Sequence, residues 1–89
     1  KSTPAGELSA EEERKLRKEQ EAEKRRQERR IKELEGIIED LEARIQKTEE
    51  ILCAPENMSN VELLQEKGEL LEKYKAELEV QYEEWMELQ

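Results

Sequence analysis

Apolar residues recur along this chain at alternating steps of three and four, in two stretches separated by a short segment that contains proline. Residues three and four apart share one face of an α-helix, so each stretch predicts an amphipathic helix whose apolar face needs a partner. The first stripe comprises Ile31, Leu34, Ile38, Leu41, Ile45, Thr48 and Leu52. The second comprises Val61, Leu64, Gly68, Leu71, Lys75, Leu78, Tyr82 and Trp85.

The segment between the stripes predicts a turn. Pro55 cannot continue a helix, and it biases Ala54 toward an extended conformation. We therefore predict an all-α fold, a two-helix antiparallel coiled-coil hairpin over residues 9–89 with a longer first helix. The first helix is expected over residues 10–53, the turn over 54–59 and the second helix over 60–88, with a flexible linker at 1–8.

The two helix starts are predicted from capping residues. Ser9 with Glu12, and Ser59 with Glu62, have the spacing of a capping box, in which a hydroxyl and a carboxylate satisfy the amides left unpaired at a helix start. The coiled-coil seam is expected to contain the following side chains: Ile31, Leu34, Ile38, Leu41, Ile45, Leu52, Val61, Leu64, Leu71, Leu78, Tyr82 and Trp85.

A turn centred near residue 56 also predicts a register. It places Leu41 opposite Leu71, Ile31 opposite Tyr82 and Gln27 opposite Trp85. Ile45 then faces Gly68, which suggests close approach of the helices, and Ile38 faces Lys75, whose aliphatic stem can lie along the seam.

Composition narrows the class of protein. With 34% apolar residues and three aromatic side chains in 89 residues, the chain can fill a two-helix seam but no globular core. Charged residues make up 46%, which is typical of long solvated helices. No apolar run has the length of a membrane span and no leader segment is visible, so we expect a cytoplasmic protein. The chain starts at Lys1 rather than Met, as an excised part of a longer protein would.

Charge is distributed unevenly. Residues 11–30 carry nine basic and seven acidic side chains, a net charge of +2, whereas residues 31–89 carry six basic and seventeen acidic side chains, a net charge of −11. On a helix, four of the basic residues fall within about 60° of one another and could follow a phosphate backbone, with two further arginines adjacent. The candidate nucleic-acid contacts are Arg14, Lys18, Arg25, Arg26, Arg29 and Arg30. The alternative is that this mixed charge run is simply a solvated helix face.

Catalytic patterns are missing from the sequence. It has no His, its glycines form no phosphate-binding loop, and no catalytic or metal-binding residues are predicted. Cys53 excludes an internal disulfide and is expected to be an unreactive thiol. The three aromatic residues, Tyr74, Tyr82 and Trp85, are expected to pack in the seam, with a role as partner-binding anchors as the alternative.

The order of these features resembles the C-terminal coiled-coil domain of ABC-F proteins, the ATP-binding-cassette family that has two ATPase domains and no membrane spans. The resemblance rests on a helix start at Leu8 and Ser9, a Glu/Arg-rich stretch leading from Arg29 through Ile45, a Pro-Glu turn after Leu52, and an ending at 82–88 that reads Tyr-Glu-Glu-Trp-Met-Glu-Leu. This ending is similar to the family's tyrosine, acidic pair and tryptophan, and it is the most specific element of the resemblance.

The resemblance implies a role at the ribosome. ABC-F proteins are translation factors that enter the tRNA exit site with ATP bound and relieve stalled or antibiotic-blocked ribosomes. It implies that this chain is a non-catalytic arm, with ATP bound only by upstream domains of the parent protein. Its partners would be ribosomal RNA, ribosomal protein or DNA, together with those upstream ATPase domains and without a membrane. We expect a monomeric hairpin; the competing hypothesis is a self-associating structural coiled coil or protein-protein interaction module.

Overall fold

A computed structural model of the protein describes residues 9–89, so the predicted linker at 1–8 lies outside the described residues. Helix α1 spans Ala10–Cys53, a 3₁₀ turn spans Pro55–Asn57, and helix α2 spans Val61–Glu87. The described residues divide into two units, one that ends at Arg30 and one that comprises residues 31–89. We call residues 10–30 the basic segment and residues 31–89 the hairpin unit.

The basic segment begins at a capped helix start. The Ser9 hydroxyl accepts a hydrogen bond from the Glu12 amide at 3.2 Å and donates one to the Glu12 carboxylate at 3.0 Å. The first turn carries Glu11, Glu12 and Glu13, whose negative charges are favourable at the positive end of the helix dipole. Apart from Ala22 and Arg30, which are half-buried, every residue of the segment is exposed, so its helix has no apolar core of its own.

The hairpin unit is antiparallel. Trp85 bonds to Glu35, Tyr82 bonds to Glu42, and Tyr74 contacts Arg44, so the partner on α1 moves toward the turn as the residue number on α2 falls. This order can arise only if the two helices run in opposite directions. The predicted fold class, two antiparallel helices of which the first is longer, is confirmed.

The turn is held by backbone and side-chain hydrogen bonds. Ala54 is extended, with φ −66° and ψ 126°, as expected of a residue that precedes proline. The Asn57 side chain donates to the Ile51 carbonyl at 2.8 Å, satisfying an oxygen left unpaired at the end of α1. The second helix is capped by Asn60, whose side-chain oxygen accepts from the Leu63 amide at 3.2 Å, and not by Ser59 as predicted. An Asn directly before Val61 is the better placed of the two capping residues.

The core of the hairpin unit lies on α1. Leu34, Ile38 and Leu41 are 0%, 7% and 4% exposed, and Thr48 is 5% exposed. The Thr48 hydroxyl donates to the Arg44 carbonyl at 2.7 Å, so this buried polar group is satisfied within its own helix. Three further seam candidates on α1 are half-buried: Ile31, Ile45 and Leu52.

Helix α2 is rotated relative to the predicted seam. Leu64, Leu71, Leu78, Tyr82 and Trp85 are half-buried, but Val61 is 73% exposed and Lys75 is also exposed. The half-buried residues of α2 also include Tyr74, which was expected in the seam although it lies outside the predicted stripe, and three residues that the prediction left out: Lys67, Gln81 and Leu88. This rotation covers the ring of Tyr74 and the apolar side chain of Leu88, and it leaves the Lys75 side chain exposed.

Two expectations about register also change. Tyr82 and Trp85 reach Glu42 and Glu35, which lie closer to the turn than the predicted partners Ile31 and Gln27. Side chains tilt toward the N-terminus of their own helix, so those of α2 lean toward the turn, and this accounts for part of the difference. A Cβ placed on Gly68 would meet no atom within 4 Å, so this glycine does not mark a close approach of the helices.

A candidate nucleic-acid interface on the basic segment

Four of the predicted nucleic-acid contacts form one exposed row on the basic segment. Arg14, Lys18, Arg25 and Arg29 are all exposed and belong to the uninterrupted helix α1. At 100° and 1.5 Å per residue, they fall within about 60° of one another and span about 22 Å along the axis. We call these four residues the cationic row. Guanidinium and ammonium groups in such a row can each bind one phosphate.

The two remaining candidates differ from the cationic row. The Arg26 guanidinium forms an ion pair with the Glu23 carboxylate at 2.6 Å, and both side chains are more than half exposed. Arg30 is half-buried and already engaged in an interaction. An exposed pair of this kind contributes little to stability and can open, but binding a phosphate requires Arg26 to give up a carboxylate first.

In the hairpin unit, two of the three aromatic side chains form hydrogen bonds with carboxylates of the opposite helix. The Tyr82 hydroxyl donates to Glu42 at 3.0 Å and the Trp85 indole donates to Glu35 at 3.3 Å. Their rings lie edge to face, with centroids 6.4 Å apart. The hydrogen bond to Glu42, with a smaller effect of desolvation, raises the pKa of Tyr82 above its ordinary value. These contacts favour a structural role for both residues.

Arg44 is held in the same unit by two neighbours. Its guanidinium lies 5.9 Å from the centre of the Tyr74 ring, and its Nε donates to Asp40 at 2.8 Å. The interaction with Tyr74, followed by that with Asp40, raises the pKa of Arg44 above its ordinary value. The Arg44 charge is therefore engaged within the hairpin unit, by the Asp40 carboxylate and the Tyr74 ring.

Within residues 9–89, no cluster of three or more potential ligands could hold a metal ion. Cys53 is an exposed free thiol at the end of α1. A surface groove of about 660 Å³ lies beside Gly36, between Glu33, Asp40 and Glu77, and it is open to solvent. None of these features combines a nucleophile, a base and an enclosed pocket.

One comparison with known proteins decides the family. Residues 22–89 match the family described as ABC transporter C-terminal domain, which is well over half of the chain. The chain belongs to this family. No curated protein and no solved structure gives a significant match.

An ABC transporter C-terminal domain is a non-catalytic accessory region of an ATP-binding-cassette protein, and this chain is such a region. Neither helix described between residues 9 and 89 is long and apolar enough to cross a membrane. The match begins at Ala22, so Arg25 and Arg29 fall inside the family's domain while Arg14 and Lys18 precede it. The cationic row therefore starts upstream of the family's domain and ends inside it.

Several residues that hold this ABC C-terminal domain together were not predicted from the sequence. Glu35 and Glu42 fix the aromatic side chains, and Asn57 and Asn60 build the turn and the second helix start. The two asparagines carry a recognisable signal, because Asn is a preferred residue at turns and helix starts. The two glutamates carry no recognisable sequence signal, because seventeen acidic residues occur after Arg30. Only the packing of the helices brings these two beside the aromatic side chains.

Proposed function

We propose that this ABC C-terminal domain is the binding arm of an ABC-F protein, a cytoplasmic translation factor whose two upstream cassettes bind and hydrolyse ATP. In this proposal the cationic row contacts ribosomal RNA and supports ATP-dependent relief of stalled or antibiotic-blocked ribosomes. The family match supports an accessory region of an ABC protein, and the closing Tyr-Glu-Glu-Trp motif supports the ABC-F branch. The single observation that carries the RNA contact is the exposed row of Arg14, Lys18, Arg25 and Arg29.

The charge distribution limits how tightly the isolated arm can bind. Residues 31–89 have six basic and seventeen acidic side chains, so the hairpin unit repels phosphates. The basic segment has a net charge of +2. Binding by this chain alone should therefore be weak at physiological salt, and the upstream domains would supply the rest of the affinity in the parent protein.

The test is the salt dependence of RNA binding by the full chain, measured by fluorescence anisotropy. Four phosphate contacts predict a slope of log K against log salt concentration of about −3 to −4. Replacing two of the four, Arg25→Gln with Arg29→Gln, should reduce the size of that slope by about 2.

A matched control lies on another face of the same segment. Arg17 and Lys24 are exposed, and ideal helix geometry places them about 90° and 110° from the centre of the cationic row. The double variant Arg17→Gln with Lys24→Gln removes the same net charge but should leave the slope nearly unchanged. Equal effects of the two double variants, or binding that is insensitive to salt, would contradict an RNA contact through the cationic row.

The assignment to the ABC-F branch has its own test. The gene product that contains this chain should have two ATP-binding cassettes upstream of Lys1. Antibiotic-stalled ribosomes should regain translation when that protein and ATP are added, and they should regain less when the cationic row is replaced by glutamine. A membrane-spanning domain in the parent protein would contradict the proposal.

A further inference from the structure

The cationic row is interrupted in its middle by an acidic residue. Glu21 is exposed and, at 100° per residue, lies within about 40° of both Arg14 and Arg25 on the same helix face. Along the axis the order is therefore Arg14, Lys18, Glu21, Arg25, Arg29: two positive charges, one negative charge, two positive charges. The exposed Glu28 lies about 20° farther from the row than Glu21 and borders its second half. Glu11 lies one turn before this set and outside its span.

The interruption turns the row into two cationic pairs. Within each pair the residues are four apart, about 6 Å along the axis, and the midpoints of the pairs are eleven residues apart, about 16 Å. Eleven residues are close to three full turns, so both pairs have the same orientation. The surface thus offers two pairs of phosphate contacts separated by a carboxylate.

A single strand fits this surface poorly. A strand that followed the helix axis would place phosphates along the whole 16 Å interval, including the position opposite Glu21, where like charges repel. Proteins that hold single strands also stack bases on aromatic side chains. The basic segment has no aromatic residue, because Tyr74, Tyr82 and Trp85 all belong to the hairpin unit.

A duplex presents phosphates in the matching arrangement, as two backbones on either side of a groove. The minor groove of A-form RNA is wide and shallow and displays 2′-hydroxyl groups, which can donate a hydrogen bond to a carboxylate. In B-form DNA the minor groove is only about 6 Å wide. In the major groove a carboxylate meets acceptors such as guanine N7 and O6 beside the amino donors of cytosine and adenine, so its contact there depends on the base sequence.

We propose that the basic segment binds double-stranded RNA across its minor groove, with the pair Arg14 and Lys18 on one backbone, the pair Arg25 and Arg29 on the other, and Glu21 over the groove. This inference rests on the proposed function, since it names the form of RNA that the arm contacts. It gives Glu21 a role as a specificity residue that disfavours single strands.

The test compares three probes of one sequence at low salt: a 20-base-pair RNA duplex, one of its strands, and the corresponding DNA duplex. The full chain should bind the RNA duplex several-fold more tightly than either other probe. Glu21→Lys should raise affinity for the single strand by about fivefold or more, because it completes a continuous phosphate track, and should raise affinity for the duplex by less than about twofold.

The control is Glu19→Lys, which makes the same charge change at an exposed residue about 110° away from the cationic row. It should raise affinity for all three probes by a similar small factor. Preference for the single strand or for DNA, or equal effects of the Glu21 and Glu19 variants, would overturn this inference and leave the RNA-binding arm intact. Failure to bind any of the three probes would overturn the proposed function itself.

Discussion

At the scale of single residues, the two glycines within the helices have no packing explanation. Neither Gly36 nor Gly68 has a neighbour within 4 Å of the position that a Cβ would occupy. Glycine in a helix interior is less favourable than alanine by about 1 kcal/mol, because it loses more backbone freedom on folding. The sequence suggested tight packing at Gly68, and it could not show that the space beside this residue is empty.

We predict that Gly68→Ala stabilises the chain by about 0.5 to 1 kcal/mol, since the added methyl group meets no atom and the unfolded chain becomes less flexible. Urea denaturation followed by far-UV circular dichroism measures the change. Gly36→Ala, in the same unit, should behave similarly, and Ala43→Gly, at an exposed position of α1, should have the opposite sign. A loss of stability on Gly68→Ala would contradict the empty space beside this residue.

We predict that the stability of the folded chain decreases at alkaline pH because of the Tyr82 hydroxyl. Its hydrogen bond to Glu42 raises the pKa of Tyr82 in the folded chain above the ordinary value of 10.0. A raised pKa in the folded state means that the stabilising contribution is complete below the unfolded pKa and is lost as pH rises through the folded pKa. Stability should therefore fall above about pH 10.

Tyr82→Phe should remove that part of the pH dependence, which thermal unfolding between pH 8 and 11 would measure. Ultraviolet titration of tyrosinate gives a second readout, in which one of the two tyrosines should ionise later in the wild type than in Glu42→Gln. An unchanged titration curve in Glu42→Gln would exclude the hydrogen bond as the cause.

At the scale of elements, the order and type of the helices follow from the sequence, whereas the details of their ends do not. Alternating three- and four-residue spacing and Pro55 are enough to predict two helices and the turn between them. Ser59 and Asn60 are adjacent residues with similar capping ability, so the sequence alone does not select between them. The observed bond from Asn60 to the Leu63 amide makes the selection.

The capping role of Asn60 can be tested by its effect on stability, with Ser59 as the control. Asn60→Ala should destabilise the hairpin by about 0.5 to 2 kcal/mol, because it leaves an amide at the start of α2 without its partner. Ser59→Ala, one residue earlier, should change stability by less than about 0.5 kcal/mol. Chemical denaturation of the two variants measures both values, and a larger loss for Ser59→Ala would return the cap to the position predicted from the sequence.

At the scale of the whole molecule, the hairpin unit shows how far a hydrophobic pattern determines packing. The stripe on α1 has only one apolar face, and four of its members are buried: Leu34, Ile38, Leu41 and Thr48. The stripe on α2 has two neighbouring faces that share Leu64, Leu71, Leu78 and Trp85, and the three-four spacing fits both. The helix adopts the face that also covers Tyr74 and Leu88, although it buries the Gln81 side-chain oxygen without a hydrogen-bond partner.

The candidate interface shows a different limit of sequence reasoning. Helical periodicity places Arg14, Lys18, Arg25 and Arg29 in one row, because the spacing of charges on a helix is fixed by its geometry. It does not show that Arg26 is paired with Glu23 or that Arg30 is half-buried and engaged. Those outcomes depend on side-chain conformations and on contacts that no linear pattern contains.

The stability of the molecule should depend on a few side chains of α1. Leu34 is fully buried, and Leu34→Ala should destabilise the chain by about 2 to 5 kcal/mol through lost burial and the cavity left behind. A small two-helix unit has little stability to spare, so this variant should lose most of its helical circular dichroism at 25 °C.

Val61 is 73% exposed, and Val61→Ala should change stability by less than about 0.5 kcal/mol, although both residues belong to the stripes read from the sequence. Thermal unfolding of the two variants, with light scattering to confirm that wild type and Val61→Ala have the monomer mass at all concentrations, measures the contrast. A helical spectrum and melting temperature unchanged by Leu34→Ala would contradict the intramolecular seam, and equal losses for both variants would contradict the rotation of α2 away from Val61.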